Sequence, residues 1–315
     1  MKKRRQHYVW QHYLNPWTTD KKLWCLREGK IFPSVTNNIG HERDFYRVEE
    51  LTESDIEYVR KLSVDPSVGL LKTANEGWIA TFQMAFEYRK QFIGLGLPLE
   101  SINEEMDVVL NNIEEDFLAH IEGESIKYLD FLRSGSIEFF GVEDDKMTFC
   151  HNLCIQYLRT KNIKQSILSN MSSIPQINHI NIDACWGVMK HIYATNIAFA
   201  LITNPKGFKP VILNVAPGDE LITGDQPVIN TFAASAGKNN MPTDTEFYYP
   251  ISPSIALLIT SDPAYRAVDS VLITVKEVEE YNRAMYEMSY EQIYARSKVY
   301  LEKYAKNDSR TSRDK

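Results

Sequence analysis

Asn204-Pro205-Lys206-Gly207-Phe208-Lys209-Pro210-Val211-Ile212-Leu213-Asn214-Val215 is the stretch at which the chain changes texture. Before it, apolar residues recur with the period of a helix. After it, short runs of β-branched and aromatic residues alternate with Pro and Gly, the pattern of strands and turns. Strands are predicted at Val211–Val215, Glu220–Thr223, Glu246–Tyr249, Ile255–Ile259 and Val271–Val275. A terminal helix is expected from Lys276 to about Tyr304. The polar residues 306–315 are expected to be a disordered tail.

Working backward, helices account for most of residues 51–203. Thr52 or Ser54 is placed to cap one that begins near Asp55. A second covers about Glu76 to Phe92 and stops at the breaker Gly94-Leu95-Gly96-Leu97-Pro98. A third runs from Ser101 to Leu132 with one buried stripe through Val108, Val109, Ile113, Phe117, Leu118 and Ile121, and Gly123 is where it would bend or break. Further helices are expected over Lys146–Leu168 and Asp183–Ile202. Residues 1–50 read as β-like, with a hairpin formed by Lys22–Leu26 and Lys30–Pro33 about Arg27-Glu28-Gly29. The expected fold is α+β: a helical middle packed beside a mainly antiparallel sheet built from the N-terminal hairpin and the C-terminal strands. One domain over 1–305 is expected, with 51–203 as its helical part and 1–50 joined to 204–305 as its β-rich part.

Composition narrows the function classes. With 315 residues, 43% hydrophobic and 24% charged, the chain has enough apolar material for a sizeable core. A net charge of -7 gives no overall basic footprint for nucleic acid, although a local groove remains open, with Lys2 to Arg5 or Arg159, Lys161 and Lys164 as candidates. The longest apolar run, Ile197 to Ile202, is far too short to span a membrane, and no secretory leader follows the basic start. Cys25, Cys150, Cys154 and Cys185 match no zinc-ribbon spacing and read as reduced core thiols, which suits a cytoplasmic location. No phosphate-binding glycine loop, dinucleotide fingerprint, metalloprotease helix or nucleophile elbow occurs.

Four polar clusters carry what chemistry the sequence offers. His7-Tyr8-Val9-Trp10-Gln11-His12-Tyr13-Leu14 sets two histidines five apart, a spacing that suits neither one helix face nor one strand face. One of them is free to transfer protons while the other packs; equally, the segment is docked by its aromatics. Gln156-Tyr157-Leu158-Arg159-Thr160 puts Gln156 and Arg159 on one helix face, where Arg159 offers a planar fork of donors to a phosphate or simply joins a salt bridge. Asp225, in Thr223-Gly224-Asp225-Gln226-Pro227, orients a histidine, assists a metal, or fixes its own turn through backbone amides. Thr36-Asn37-Asn38-Ile39-Gly40-His41 reads first as a turn.

In this order the clusters resemble a bacterial family catalogued as domain of unknown function 4238. Its His-Tyr-Val-Pro-Gln-x-Tyr-Leu opening is similar to residues 7–14, with Trp10 in place of the proline. Its Gln-x-x-Arg-Thr element is similar to residues 156–160. Its Ser-Asp-Asn-Pro turn resembles Gly224-Asp225-Gln226-Pro227, with Gln226 for Asn. Pro250-Ile251-Ser252-Pro253 and Asn282 continue the likeness toward the C-terminus. The resemblance supports the residue set and the architecture and implies no reaction.

The resulting expectation is a nuclease, with RNA the more favoured polymer, acting as a toxin or antiphage effector. His7, Arg159 and Asp225 are the expected catalytic residues. Tyr8, Gln11, Tyr13, Asn38, Gln156 and Thr160 are expected to bind the substrate. No residue is assigned as a metal ligand; the cofactor is unspecified, with a divalent metal left open, and the partner is RNA or a nucleotide. The alternative is a non-catalytic ligand- or nucleotide-binding module, or a sensor in a defence system. Oligomeric state is not legible.

Overall fold

The computed structural model describes residues 1–172, 174–204, 207–236, 242–306 and 308. The first fifty residues form strand β1 (Arg5–His7), the one-turn helix α1 (Gln11–Leu14), the hairpin strands β2 (Leu23–Arg27) and β3 (Lys30–Ser34), and β4 (His41–Arg43). The hairpin is closed by Glu28 and Gly29, at φ 54° and 69°, the two positive φ angles that a tight two-residue turn needs to follow the strand twist.

The helical middle comprises α2 (Glu53–Val59), α3 (Gly69–Gly94), α4 (Leu99–Arg133), α5 (Glu143–Leu158), α6 (Lys161–Ser172) and α7 (Ile182–Thr203). Thr52 caps α2 in a reciprocal box with Asp55. Helix α4 runs straight through Gly123 without a break. The helix expected over 146–168 is instead two, parted at Arg159-Thr160. The cause is long-range: the Gln226 side chain donates to the Tyr157 carbonyl at 3.0 Å, and Thr160 Oγ1 donates to Gln226 Oε1. A helix-end carbonyl and the following hydroxyl are thus satisfied from outside the helix.

The C-terminal part contributes β5 (Lys209–Val215), β6 (Thr223–Gly224), β7 (Ile229–Asn230), α8 (Thr231–Ala236), β8 (Phe247–Ser252), β9 (Ile255–Thr260), β10 (Ser270–Ile273), α9 (Val275–Met288), β11 (Gln292–Ala295) and α10 (Val299–Ala305). The fold is α+β, with a helical centre and antiparallel sheets made from N-terminal and C-terminal strands. Among the described residues the strands divide among three sheets rather than one. β1 pairs with β4; β10-β5-β9-β8-β7 is antiparallel except for the parallel β10–β5 pair; and β3-β2-β11-β6 joins the hairpin to the C-terminus. The single terminal helix expected over 276–304 is divided into α9 and α10 by β11, which is the strand that receives the hairpin. Of the expected tail, residues 307 and 309–315 lie outside the described residues.

One apolar cluster runs from the N-terminal aromatics Tyr8, Tyr13 and Trp17 through α3, α4, α5 and α7 to the inner face of β8 and β9. A second lies between β5, β9 and β11 and the helices α9 and α10. The N-terminal strand is fastened to α4 by polar bonds. Gln6 Nε2 donates to the Asn111 carbonyl at 2.6 Å, the Tyr46 N–H donates to Gln6 Oε1 at 2.6 Å, and Asn111 Nδ2 donates to the Lys3 carbonyl at 2.8 Å.

Gly40 sets the path of the residues that follow β1. Its carbonyl accepts the N–H groups of Tyr8 and Val9, and its φ is +60°. A Cβ there would stand 2.8 Å from Val9 Cβ. Gly40→Ala is therefore expected to lower stability by about 2 kcal/mol, combining left-handed backbone strain with a core clash. Urea denaturation measures this; an unchanged midpoint would remove Gly40 from any part in seating the N-terminal segment.

Candidate functional site

All four sequence clusters touch: Gly40 accepts the N–H groups of Tyr8 and Val9, Tyr13 bonds Thr223, and Gln226 bonds Tyr157 and Thr160. Gln156 Nε2 donates to the Tyr8 carbonyl at 3.1 Å, so the last turn of α5 grips the segment after β1. Arg159, the residue that ends α5, is 3% exposed, and its Nη2 donates to Gln156 Oε1 at 2.7 Å and to Glu122 Oε1 on α4. Burial opposes its charge, yet Glu122, Tyr46 and Glu115 together hold the Arg159 guanidinium above its ordinary value. Its Nε is buried and has no hydrogen-bond partner among the described residues.

Beside this ion pair lies a narrow cleft between α4 and α5 with about 40 Å³ of enclosed space. Trp10 and Tyr249 form aromatic walls, and Glu122, Asn152, Gln156 and Arg159 form its polar floor. A mainly apolar hollow with a few converging polar groups is the usual form of a small-molecule or substrate site.

Glu115 stands two turns before Glu122 on the same line of α4, about 10 Å along the axis. It accepts the His7 backbone N–H, and burial pushes its carboxyl up to about 7, with Arg159 opposing that rise and Glu122 adding to it. Glu122 is also raised by burial, against the pull of Arg159. A carboxyl that titrates near neutrality is matched to proton transfer at working pH.

His7 is half-buried in β1. Its Nε2 meets Gln11 Nε2 at 3.1 Å, its ring bonds the Asn37 backbone, and it packs edge-on against His41 at 5.3 Å between centroids. Burial, then the neighbouring His41, push it down to about 4. It is therefore a neutral imidazole at physiological pH, held by its neighbours, while Glu115 has the affinity that proton exchange needs.

Asp225 takes the turn-fixing course that the sequence left open. It is 1% exposed; Oδ1 accepts the Tyr290 N–H at 2.7 Å, and Oδ2 accepts those of Glu291 and Gln292 at 2.7 and 2.9 Å. Thr160 is buried against Gln226. Tyr13 is fully buried, bonded to Thr223 Oγ1 at 2.6 Å and stacked on Tyr249, so it supports the cleft wall from behind. The Tyr8 side chain is in the core at 1% exposure, Gln11 bonds His7, and Asn38 is an exposed residue of a single 3-10 turn.

Sequence reasoning missed Glu115, Glu122 and the cleft role of Trp10. The available signal was the seven-residue spacing of Glu115 and Glu122, which puts both carboxylates beside the apolar stripe of α4 rather than opposite it. Among the described residues no three His, Cys, Asp or Glu side chains gather as a group able to hold a metal ion. All four cysteines are described; they are buried and unbridged. No described helix is long and apolar enough to cross a membrane.

An α+β protein with a buried Arg–Glu pair opening on an aromatic-walled cleft is the class that fold and site define. The chain belongs to the family described as Protein of unknown function (DUF4238), whose model matches residues 5–299. No curated protein and no solved structure matches it.

A structural role for Asp225 has a measurable consequence. Asp225→Ala removes the acceptor of three backbone N–H groups, two of them buried, and is expected to cost about 3 kcal/mol or more in urea unfolding. A loss under about 1 kcal/mol would contradict the turn-fixing role.

Proposed function

We propose that this protein cleaves RNA by acid–base transesterification along the face of α4 that carries Glu115 and, two turns on, the cleft lined by Glu122, Arg159 and Trp10. The observation that carries the reading is Glu115, a carboxyl pushed up to about 7 within electrostatic reach of a buried guanidinium. RNA brings its own nucleophile, the 2′-hydroxyl, so the chain needs only a base and a group to bear phosphate charge. Glu115 takes the 2′-hydroxyl proton as that oxygen attacks the adjacent phosphorus. The P–O5′ bond breaks, and the same carboxyl returns the proton to the departing 5′-oxygen, leaving a 2′,3′-cyclic phosphate. Arg159 faces the phosphate charge, and Trp10 offers a ring on which a base stacks. Such an enzyme fits the toxin or antiphage role, and four buried thiols without bridges support the reducing cytoplasm as its place of action.

A specific observation also favours binding without turnover: both hydrogen bonds of Arg159 Nη2 are already satisfied by Glu122 and Gln156. In that reading the cleft recognises a nucleotide and leaves it intact.

The test is purified protein on single-stranded RNA and on the same sequence as DNA, with a chelator present. The expected outcome is cleavage of RNA alone, with cyclic-phosphate ends, reduced at least a hundredfold in Glu115→Gln. Parent-level cleavage in Glu115→Gln would refute the assignment. Stabilisation by nucleotides with no cleavage would shift the reading to a binding module. If the toxin role holds, bacterial growth stops on expression of the parent and continues with Glu115→Gln.

The pH behaviour has two opposite signs. The cleavage rate should rise with pH to a plateau, with a midpoint near 7, as Glu115 loses its proton. Stability should move the other way. Glu115 has a higher affinity for its proton folded, about 7, than its ordinary 4.5, so its contribution declines as pH rises from about 4.5 and is lost above about 7. Glu115→Gln should flatten both curves between pH 5 and 8; a parent rate that does not vary over that range would exclude Glu115 as the base.

A further inference from the structure

Arg159 also borders the inner of two adjoining hollows between residues 44–49 and α7. The inner one is a narrow crevice with about 20 Å³ of enclosed space, and Arg159, Lys164, Lys190, Glu114 and Tyr46 line it. The outer one, with about 160 Å³ of enclosed space, is bordered by Asp44, Phe45, Arg47, Glu49, Lys164 and Gly187. Phe45, Arg47, Lys164, Asp183 and Gly187 belong to both, so they form one continuous cleft.

Three features of this cleft lack a purely structural explanation. The first is Gly187, in the interior of the 22-residue helix α7. A glycine there costs about 1 kcal/mol against alanine. No close packing demands it, because a Cβ at Gly187 would meet no atom within 4 Å. The residue keeps open space where a larger side chain would fill the hollow. The second is a pair of orphaned polar atoms. Asp44 Oδ1 and Arg159 Nε are both buried and without hydrogen-bond partners among the described residues. One is an acceptor at the outer end; the other is a donor whose residue lines the inner end. Buried polar groups are satisfied in folded proteins, so an unpaired acceptor and an unpaired donor bordering one cleft point to a ligand that supplies both partners.

The third feature is the arrangement of cations. Lys190, 5% exposed, pairs with Glu114 at 2.6 Å and lies over the Tyr46 ring at 5.1 Å. Lys164 pairs with Asp183 at 2.7 Å and lies over the Phe45 ring at 5.2 Å. Each ammonium has three N–H donors and, among the described residues, one carboxylate partner, so donors remain for a ligand. Four cationic side chains, with Arg47, line the inner hollow beside the carboxylates of Glu114 and Asp183, while Arg159 and Arg47 pair with Glu122 and Asp107. The outer hollow has apolar surface from Phe45, Phe82 and Val188, and the carboxylates of Asp44 and Glu49 at its rim.

We propose that this cleft is a second ligand site that takes a nucleoside monophosphate, phosphate inward toward Arg159, Lys164 and Lys190 and nucleoside outward over Phe45 and Gly187. A phosphate supplies acceptors for the cations. The nucleoside supplies a flat apolar ring for the Phe45 side and hydroxyl donors for Asp44 and Glu49. The site does not depend on the RNA-cleavage reading, because it shares only Arg159 with that cleft.

The experiment measures binding of the four 5′-nucleoside monophosphates, and of inorganic phosphate alone, by calorimetry on the full chain. At least one nucleotide is expected to bind at least tenfold more tightly than phosphate. That binding should weaken at least tenfold in Gly187→Leu, which fills the hollow, and in Lys164→Ala, which removes an exposed-side cation. It should persist in Trp10→Ala, which alters the other cleft. RNA cleavage, where present in the parent, should be unchanged in Gly187→Leu, so failure of the two readings is distinguishable. No binding by any nucleotide, binding that survives Gly187→Leu and Lys164→Ala, or binding lost in Trp10→Ala instead would each overturn the proposal.

Discussion

A guanidinium placed where almost no water reaches it must be matched in charge and in hydrogen bonds, or the structure around it does not hold. Arg159 is in that position at the point where α5 gives way to α6. Stripping one partner from a buried ion pair costs about 3–5 kcal/mol, because the other charge is left unsolvated. Three elements are therefore held in fixed relation around it: α4 through Glu122, the end of α5 through Gln156, and, through Gln156 again, the backbone at Tyr8. Tyr46 completes the set by donating to the Arg159 carbonyl at 3.5 Å. The cleft exists because these partners converge on one charge, and the N-terminal segment is ordered against the helices for the same reason.

Asp225 performs the matching task close by, next to the Gln226 that bonds Tyr157 and Thr160 on either side of Arg159. Three consecutive N–H groups, from 290 to 292, are captured by one carboxylate, and the chain leaves its helical path at Ser289 to enter β11. Ser289 reaches back to the Met285 carbonyl at 2.8 Å and packs against Gly224, where a Cβ would collide with it. This explains why a single terminal helix was expected over 276–304. The residues of 289–295 carry no strong breaker, and what ends the helix is a carboxylate more than sixty positions away. The same holds for the break at 159–160, which Gln226 imposes from outside. Helix and strand types were legible wherever period and capping are local, as with Thr52 and the hairpin at Glu28-Gly29. Where a side chain distant in sequence captures backbone groups, no local pattern records it.

The site was legible to a similar depth. Gln156, Arg159 and the segment after His7 do meet, because polar residues at those spacings in an apolar setting have to find partners. Their roles were less legible. A histidine near a terminus looks like a proton carrier until its environment is known; here two ring partners and a second histidine leave His7 neutral and occupied. A glutamate on a long acidic helix looks solvated until the neighbouring elements cover it. Glu114, Glu115 and Glu122 occupy one such helix; they are, in turn, fully buried, partly buried and paired with the guanidinium, and only the tertiary packing distinguishes them.

The choice of arginine at position 159 follows from geometry rather than charge alone. A lysine would put one tetrahedral head into a space bordered by Glu122 and Gln156 and by the hollow near Lys190. The planar fork spreads its donors, so Nη2 bonds Glu122 and Gln156 while Nε has no hydrogen-bond partner among the described residues. One residue therefore forms part of the wall of two hollows. Any change of charge in either hollow is felt by the same delocalised cation.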